Sequence, residues 1–121
     1  MANKIDEYEF ETKMTMREIE KVLNNAFAKM GVESRQSIGG STADMAIQVK
    51  GKPALLSPFI YVLEIYVWDN GDRRTIQVNA VGSGGATYFG TALTGQTGVY
   101  MDLKSAKKKR NILLKLFGEK W

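Results

Sequence analysis

The sequence predicts an α+β fold: a strand, a helix, four or five antiparallel strands and a closing helix, with both helices packed on one face of a single sheet. Three observations predict it. Two segments, near the start and at the end, repeat apolar residues at three- and four-residue spacing, which is the helical period. Runs that alternate apolar and polar residues lie between them, and that is the period of a half-buried strand. Glycine pairs and an Asn-Gly step divide those runs at hairpin spacing. Amphipathic helices laid on an antiparallel sheet bury all these stripes together.

The first strand is "IDEYEFET", where Tyr8 and Phe10 share a face and favour extended backbone. The first helix follows in "MTMREIEKVLNNAFAKMG". Thr15 and Glu18 have the spacing of a capping box, in which each side chain satisfies a backbone N–H of the other residue. Met16, Ile19, Val22, Leu23, Ala26, Phe27 and Met30 form one stripe, and Gly31 stands where a left-handed cap needs no Cβ. Residues 34–53 read as two strands about Gly39-Gly40, the second alternating Ala43, Met45, Ile47 and Val49 with polar residues. Gly51 and Pro53 end it.

Residues 57–81 read as a long hairpin on Asn70-Gly71. A two-residue turn sets Trp68 opposite Arg73, Tyr66 opposite Thr75, Glu64 opposite Gln77 and Val62 opposite Asn79. A three-residue turn moves the register by one. The core face carries Tyr61, Leu63, Ile65, Val67, Ile76, Val78 and Ala80. After a glycine-rich stretch with two short extended segments, "ATYFGTAL" and "TGVYM", a basic amphipathic helix closes the chain over about 102–118. Asp102 is its N-cap, and Leu103, Ala106, Arg110, Leu113, Leu114, Phe117 and Trp121 form its stripe. The arginine in that stripe is expected to run its guanidinium outward to water.

This order of elements is similar to that of the TATA-binding-protein-like and helix-grip architectures. The resemblance is one of order alone, and a shared fold does not fix a function.

Composition narrows the chemistry. The 121 residues suit one domain, 1–121, that buries about two thirds of its unfolded surface without a staple. There are no cysteines and no histidines. Their absence removes the usual ligands of zinc, iron–sulfur, haem and copper, and excludes Ser-His and Cys-His mechanisms. No metal, no cofactor and no catalytic residue is expected. The opening "MANKIDEYEFE" is too charged for a signal peptide, and the longest apolar run, "FIYVL", is far too short to span a membrane. The expectation is a soluble, cytoplasmic protein. The net charge of +4 is uneven, because residues 102–121 alone carry seven basic and two acidic side chains.

Four features bear on function. The stretch "VGSGGATYFGTALTGQTG" resembles phosphate loops only in part. Its Gly-x-Gly lacks the third glycine, and its Walker-like "GTALTGQT" has Gln96 where lysine meets the phosphates. The stretch is better read as turns and weak strands near a sheet edge, with Tyr88 and Phe89 as candidate ligand-binding or lid side chains. Glu64, alone within "FIYVLEIYVW", suits cross-strand pairing; catalysis there needs Arg35, Arg73 or Arg74 beside it.

The run "KKKR" spreads its charge around the last helix. Lys104, Lys107, Lys108, Lys109 and Lys115 read first as a solvated face and second as an anion-binding surface for nucleic acid or an anionic membrane. No base-reading motif accompanies them, so only non-specific contact is expected. Ile60, Val62, Tyr66 and Trp68 make the second face of the hairpin unusually apolar for a solvent face. They are the candidate interface residues. The function expected is that of a small non-enzymatic binding domain. Its partner is a protein, a second copy of the chain, or an apolar small molecule between the sheet and the last helix. The alternative is contact with nucleic acid or an anionic surface through the lysines.

Overall fold

The computed structural model describes residues 4–51, 59–82 and 100–118. Its elements in chain order are β1 (Lys4–Thr12), α1 (Met16–Met30), β2 (Val32–Ser37), β3 (Met45–Gly51), β4 (Phe59–Ile60), β5 (Val62–Asp69), β6 (Arg74–Gly82), β7 (Tyr100–Met101) and α2 (Leu103–Leu116). Five strands make an antiparallel sheet in the order β1-β6-β5-β3-β2. The order of elements and the α+β class are those the sequence predicts.

α1 begins as its sequence dictates. Thr15 accepts from the backbone N–H of Glu18 at 3.1 Å, and the Glu18 carboxylate accepts from the N–H of Thr15 at 2.9 Å. Those bonds hold the Glu18 carboxyl below its ordinary pKa. Gly31 ends the helix at φ 66°. Ile19, Leu23, Ala26, Phe27 and Met30 face inward from α1, and Ala106, Leu113 and Leu114 from α2. Both sets meet Leu63, Ile65, Val67, Ile76, Val78 and Ala80 in one core. Burial of each large side chain there contributes about 2 kcal/mol. Tyr61 joins this core and donates its hydroxyl to the carbonyl of Met30 at 2.8 Å. Gly51 lies against the Tyr61 ring so closely that a Cβ would overlap it.

Four details differ from expectation. The β5–β6 connection is longer than a two-residue turn. Asp69 pairs with Arg74, so Trp68 faces Thr75, Tyr66 faces Gln77, Glu64 faces Asn79 and Val62 faces Val81. The Asn70 N–H donates to the carbonyl of Arg73 at 2.8 Å, and Asp69 meets Arg74 at 3.1 Å. A shift of two keeps every side chain on its face, because the strand period is two. Gly39-Gly40 is likewise no tight turn. Residues 38–44 connect β2 to β3, with Gly40 at φ 77°.

The third difference is a second, parallel pair, β4 with β7, beside the main sheet. It brings the entry to α2 alongside the entry to β5, and the Asp102 N–H donates to the carbonyl of Ile60 at 2.8 Å. The fourth is Arg110, which does not reach out to water. Its side chain is 5% exposed, and its guanidinium meets Asp6 Oδ1 at 2.8 Å and the Asp6 carbonyl at 2.6 Å. β1 places Asp6 on the helix-bearing face, so the charge finds a carboxylate inside the fold.

Candidate binding groove

β2 is the edge strand beyond β3, and all of it except Val32 is exposed. Its sequence "VESRQS" explains this, since neither face is apolar. Arg35 lies opposite Val49, and Ser37 opposite Ile47. Val49 belongs to the core, so Arg35 and Ser37 stand on the helix-bearing face. The helices do not extend over them. The gap is a groove, with Leu23 and Phe27 of α1 on one side and Met45 and Ile47 of β3 on the other.

Three cavities share this groove. One of about 500 Å³ runs along β3, and one of about 430 Å³ lies by the end of α1 and the start of β2. A third, of about 230 Å³, lies over Gln36, Ser37 and Ile47. Arg35 lines all three. Its Nη1 donates to Asn24 Oδ1 at 2.8 Å, and its guanidinium carbon sits 5.7 Å from the centroid of the Phe27 ring. Both contacts orient the guanidinium and neither neutralises it. Among the described residues no carboxylate lies at ion-pair distance from Arg35. By contrast, Arg73 meets Glu11 at 3.4 Å, and Arg74 and Arg110 each have a carboxylate partner.

The sequence names Arg35 only as a conceivable neighbour of Glu64, and the structure separates the two. Glu64 points from the opposite face, where its carboxylate accepts from the Tyr66 hydroxyl at 3.4 Å. Arg73 and Arg74 are engaged by Glu11 and Asp69. The signal that could have found the groove was the polar strand "VESRQS" beside the alternating "MAIQV": an edge strand with an arginine facing a buried valine.

The four hairpin residues on the open face do not behave alike. Ile60 and Val62 are buried within the chain, where they cluster with Val81. Tyr66 and Trp68 are half-buried and stacked, with ring centroids 6.0 Å apart. Trp68 Nε1 donates to Thr42 Oγ1 at 3.2 Å. Between these ends runs a polar row, in which Asn79 donates to Gln77 at 3.2 Å and Gln77 to Glu9 at 3.3 Å. Burial, with the Glu64 charge second, raises the Tyr66 pKa above its ordinary value.

The five lysines of α2 also divide. Lys107 meets Asp6 at 3.2 Å, and Lys109 lies 5.6 Å from the centroid of the Tyr61 ring. Lys104, Lys108 and Lys115 are exposed and share the outward side of the helix. Between sheet and α2, where an apolar ligand was expected, Ala106, Leu113 and Leu114 are fully buried and fill the interface. Tyr88 and Phe89, with most of the glycine-rich stretch, lie outside the described residues. Among the described residues no group of three acids converges as a cation site, and no helix is long and apolar enough to cross a membrane.

No family model, curated protein or solved structure matches the chain.

Proposed function

We propose that the chain is a non-enzymatic binding domain that takes a segment of a partner protein in the groove between α1 and β2–β3. Arg35 carries this reading: an oriented, exposed guanidinium with no carboxylate at ion-pair distance among the described residues, set beside the half-buried Met45 and Ile47. Such a group is a ready receptor for a planar anion. The missing histidine and cysteine, and the placement of Arg35 and Glu64 on opposite faces of the sheet, support a binding role over a catalytic one. Self-association through the open sheet face is the weaker form of the same reading, because Ile60 and Val62 are already buried.

A random-peptide display selection tests the groove. Clones that bind the protein should lose binding to Ala43→Trp, since Ala43 lines the largest cavity and an indole there fills it. Clones that hold Ala43→Trp as tightly as the unaltered protein would remove the groove as the binding surface.

A second reading has its own observation. The exposed ridge of Lys104, Lys108 and Lys115 supports non-specific contact with nucleic acid or an anionic surface.

A further inference from the structure

We infer that the segment this groove takes is extended and carries one carboxylate with a basic side chain on either side. This rests on the groove reading and adds the charge pattern of the occupant.

The shape argues for an extended chain. The cavities follow β2 from Val32 to Ile38, and a strand of that length spans about 20 Å. Small-molecule sites enclose most of their ligand, whereas this groove stays open along one side, as a backbone in passage requires. β2 also presents an edge of the sheet, regular from Ser34 to Ser37 beyond a bulge at Val32–Ser34. At the other edge, Arg110 occupies the carbonyl of Asp6, and the exposed Glu7, Glu9 and Glu11 flank the strand. An open edge strand is where an added strand makes main-chain hydrogen bonds.

The charges then set the pattern. Glu33 lines the cavity at the start of β2, Arg35 lines all three cavities, and Glu20 lines the cavity toward the β2–β3 connection, where the Asp44 carboxylate is engaged by the Asp69 N–H at 2.6 Å. The groove therefore reads acidic, basic, acidic along its length. Charges two residues apart on a strand are about 7 Å from each other. That is within the Debye length at physiological salt, so each charge acts on the partner residue opposite it and on that residue's neighbours, and the order of charges matters. The complement is basic, acidic, basic. A carboxylate opposite Arg35 completes the guanidinium that Asn24 only orients, and basic side chains on either side of it meet Glu33 and Glu20. Their alkyl stems cover Phe27 and Ile47. A polyanion such as nucleic acid meets two carboxylates for one guanidinium and is disfavoured here.

The test is an NMR titration of the ¹⁵N-labelled full chain with three acetylated, amidated peptides: Lys-Val-Glu-Val-Lys, Lys-Val-Gln-Val-Lys and Glu-Val-Lys-Val-Glu. The first should shift the amides of residues 33–38 and 43–47 saturably. The glutamine peptide should bind about tenfold more weakly, the loss of one charge-assisted contact. The charge-reversed peptide should bind least. In Arg35→Gln, whose exposed position leaves the core intact, the first two peptides should become equal. Equal affinity of all three for the unaltered protein, or no saturable shift by the first, overturns the inference. The Ala43→Trp selection tests the groove separately, so the two failures can be told apart.

Discussion

Asp6 and Arg110 form an ion pair in which the guanidinium is buried and the carboxylate is 39% exposed, with Lys107 as a second cation on the same carboxylate. The hydrogen bond from Arg110, reinforced by Lys107, holds the Asp6 carboxyl below its ordinary 3.8. A lowered carboxylate pKa favours the fold above the unfolded value, and that stabilisation is lost as pH falls through the folded one. Asp6→Asn should therefore cost about 1 kcal/mol at neutral pH, just under the range for charged hydrogen bonds, because solvent screens the partly exposed carboxylate. Urea titrations of both proteins should draw together as pH falls below 3.8. A constant gap through that fall would show that the cost is steric and not electrostatic. That an arginine falls in the stripe of α2 is legible from spacing. Its partner is not, because nothing local to either residue encodes a contact between the first strand and the last helix. The same limit hid Arg35: its isolation depends on which elements stop short of β2.

Elements were more legible than their joints. Capping box, glycine cap and apolar stripe fix α1 by local chemistry, and all lie within a few residues of one another. The register of β5 with β6 depends instead on how Asp69, Arg74 and the Asn70 backbone bond across the connection. An Asn-Gly step favours a shorter turn and does not compel it. Where α1 meets the sheet, Tyr61 makes the joint by bonding the last carbonyl of the helix. Burial raises the Tyr61 hydroxyl pKa from 10.0 to about 12. The fold thus prefers the protonated phenol. This stabilisation is complete below pH 10 and is lost as pH rises from there toward 12. Tyr61→Phe should lower stability by about 1 kcal/mol at neutral pH, the net worth of a neutral hydrogen bond. It should also flatten most of the alkaline decline in melting temperature, leaving the smaller share of Tyr66. An unchanged alkaline slope would place the titrating group elsewhere.

At the scale of the molecule, the uneven charge seen in the sequence becomes a three-lysine ridge, because Asp6 and the Tyr61 ring engage two of the five candidates. Three phosphate contacts give a salt dependence with a slope of about −2 on logarithmic axes. Single-stranded oligonucleotide binding at about 20 mM salt should then fall roughly fiftyfold by about 150 mM. It should vanish in Lys104→Gln, Lys108→Gln, Lys115→Gln. Binding that ignores either change removes the ridge as its cause. Sheet order, unlike charge, was beyond the sequence. Period and turn signals identify strands, but the pairing of β1 with β6 joins residues more than sixty positions apart.

That pairing has a consequence for the chain as it is made. α1 can form as soon as its own residues emerge, but β1 has no partner until Arg74–Gly82 follow, and Asp6 waits for an arginine 104 positions later. β1 is thus made well before the strand that closes over it. Until then its Tyr8 and Phe10 are open to any other extended chain. Glu7, Glu9 and Glu11 are exposed and line this waiting strand with like charges, which repel a second copy of it laid alongside.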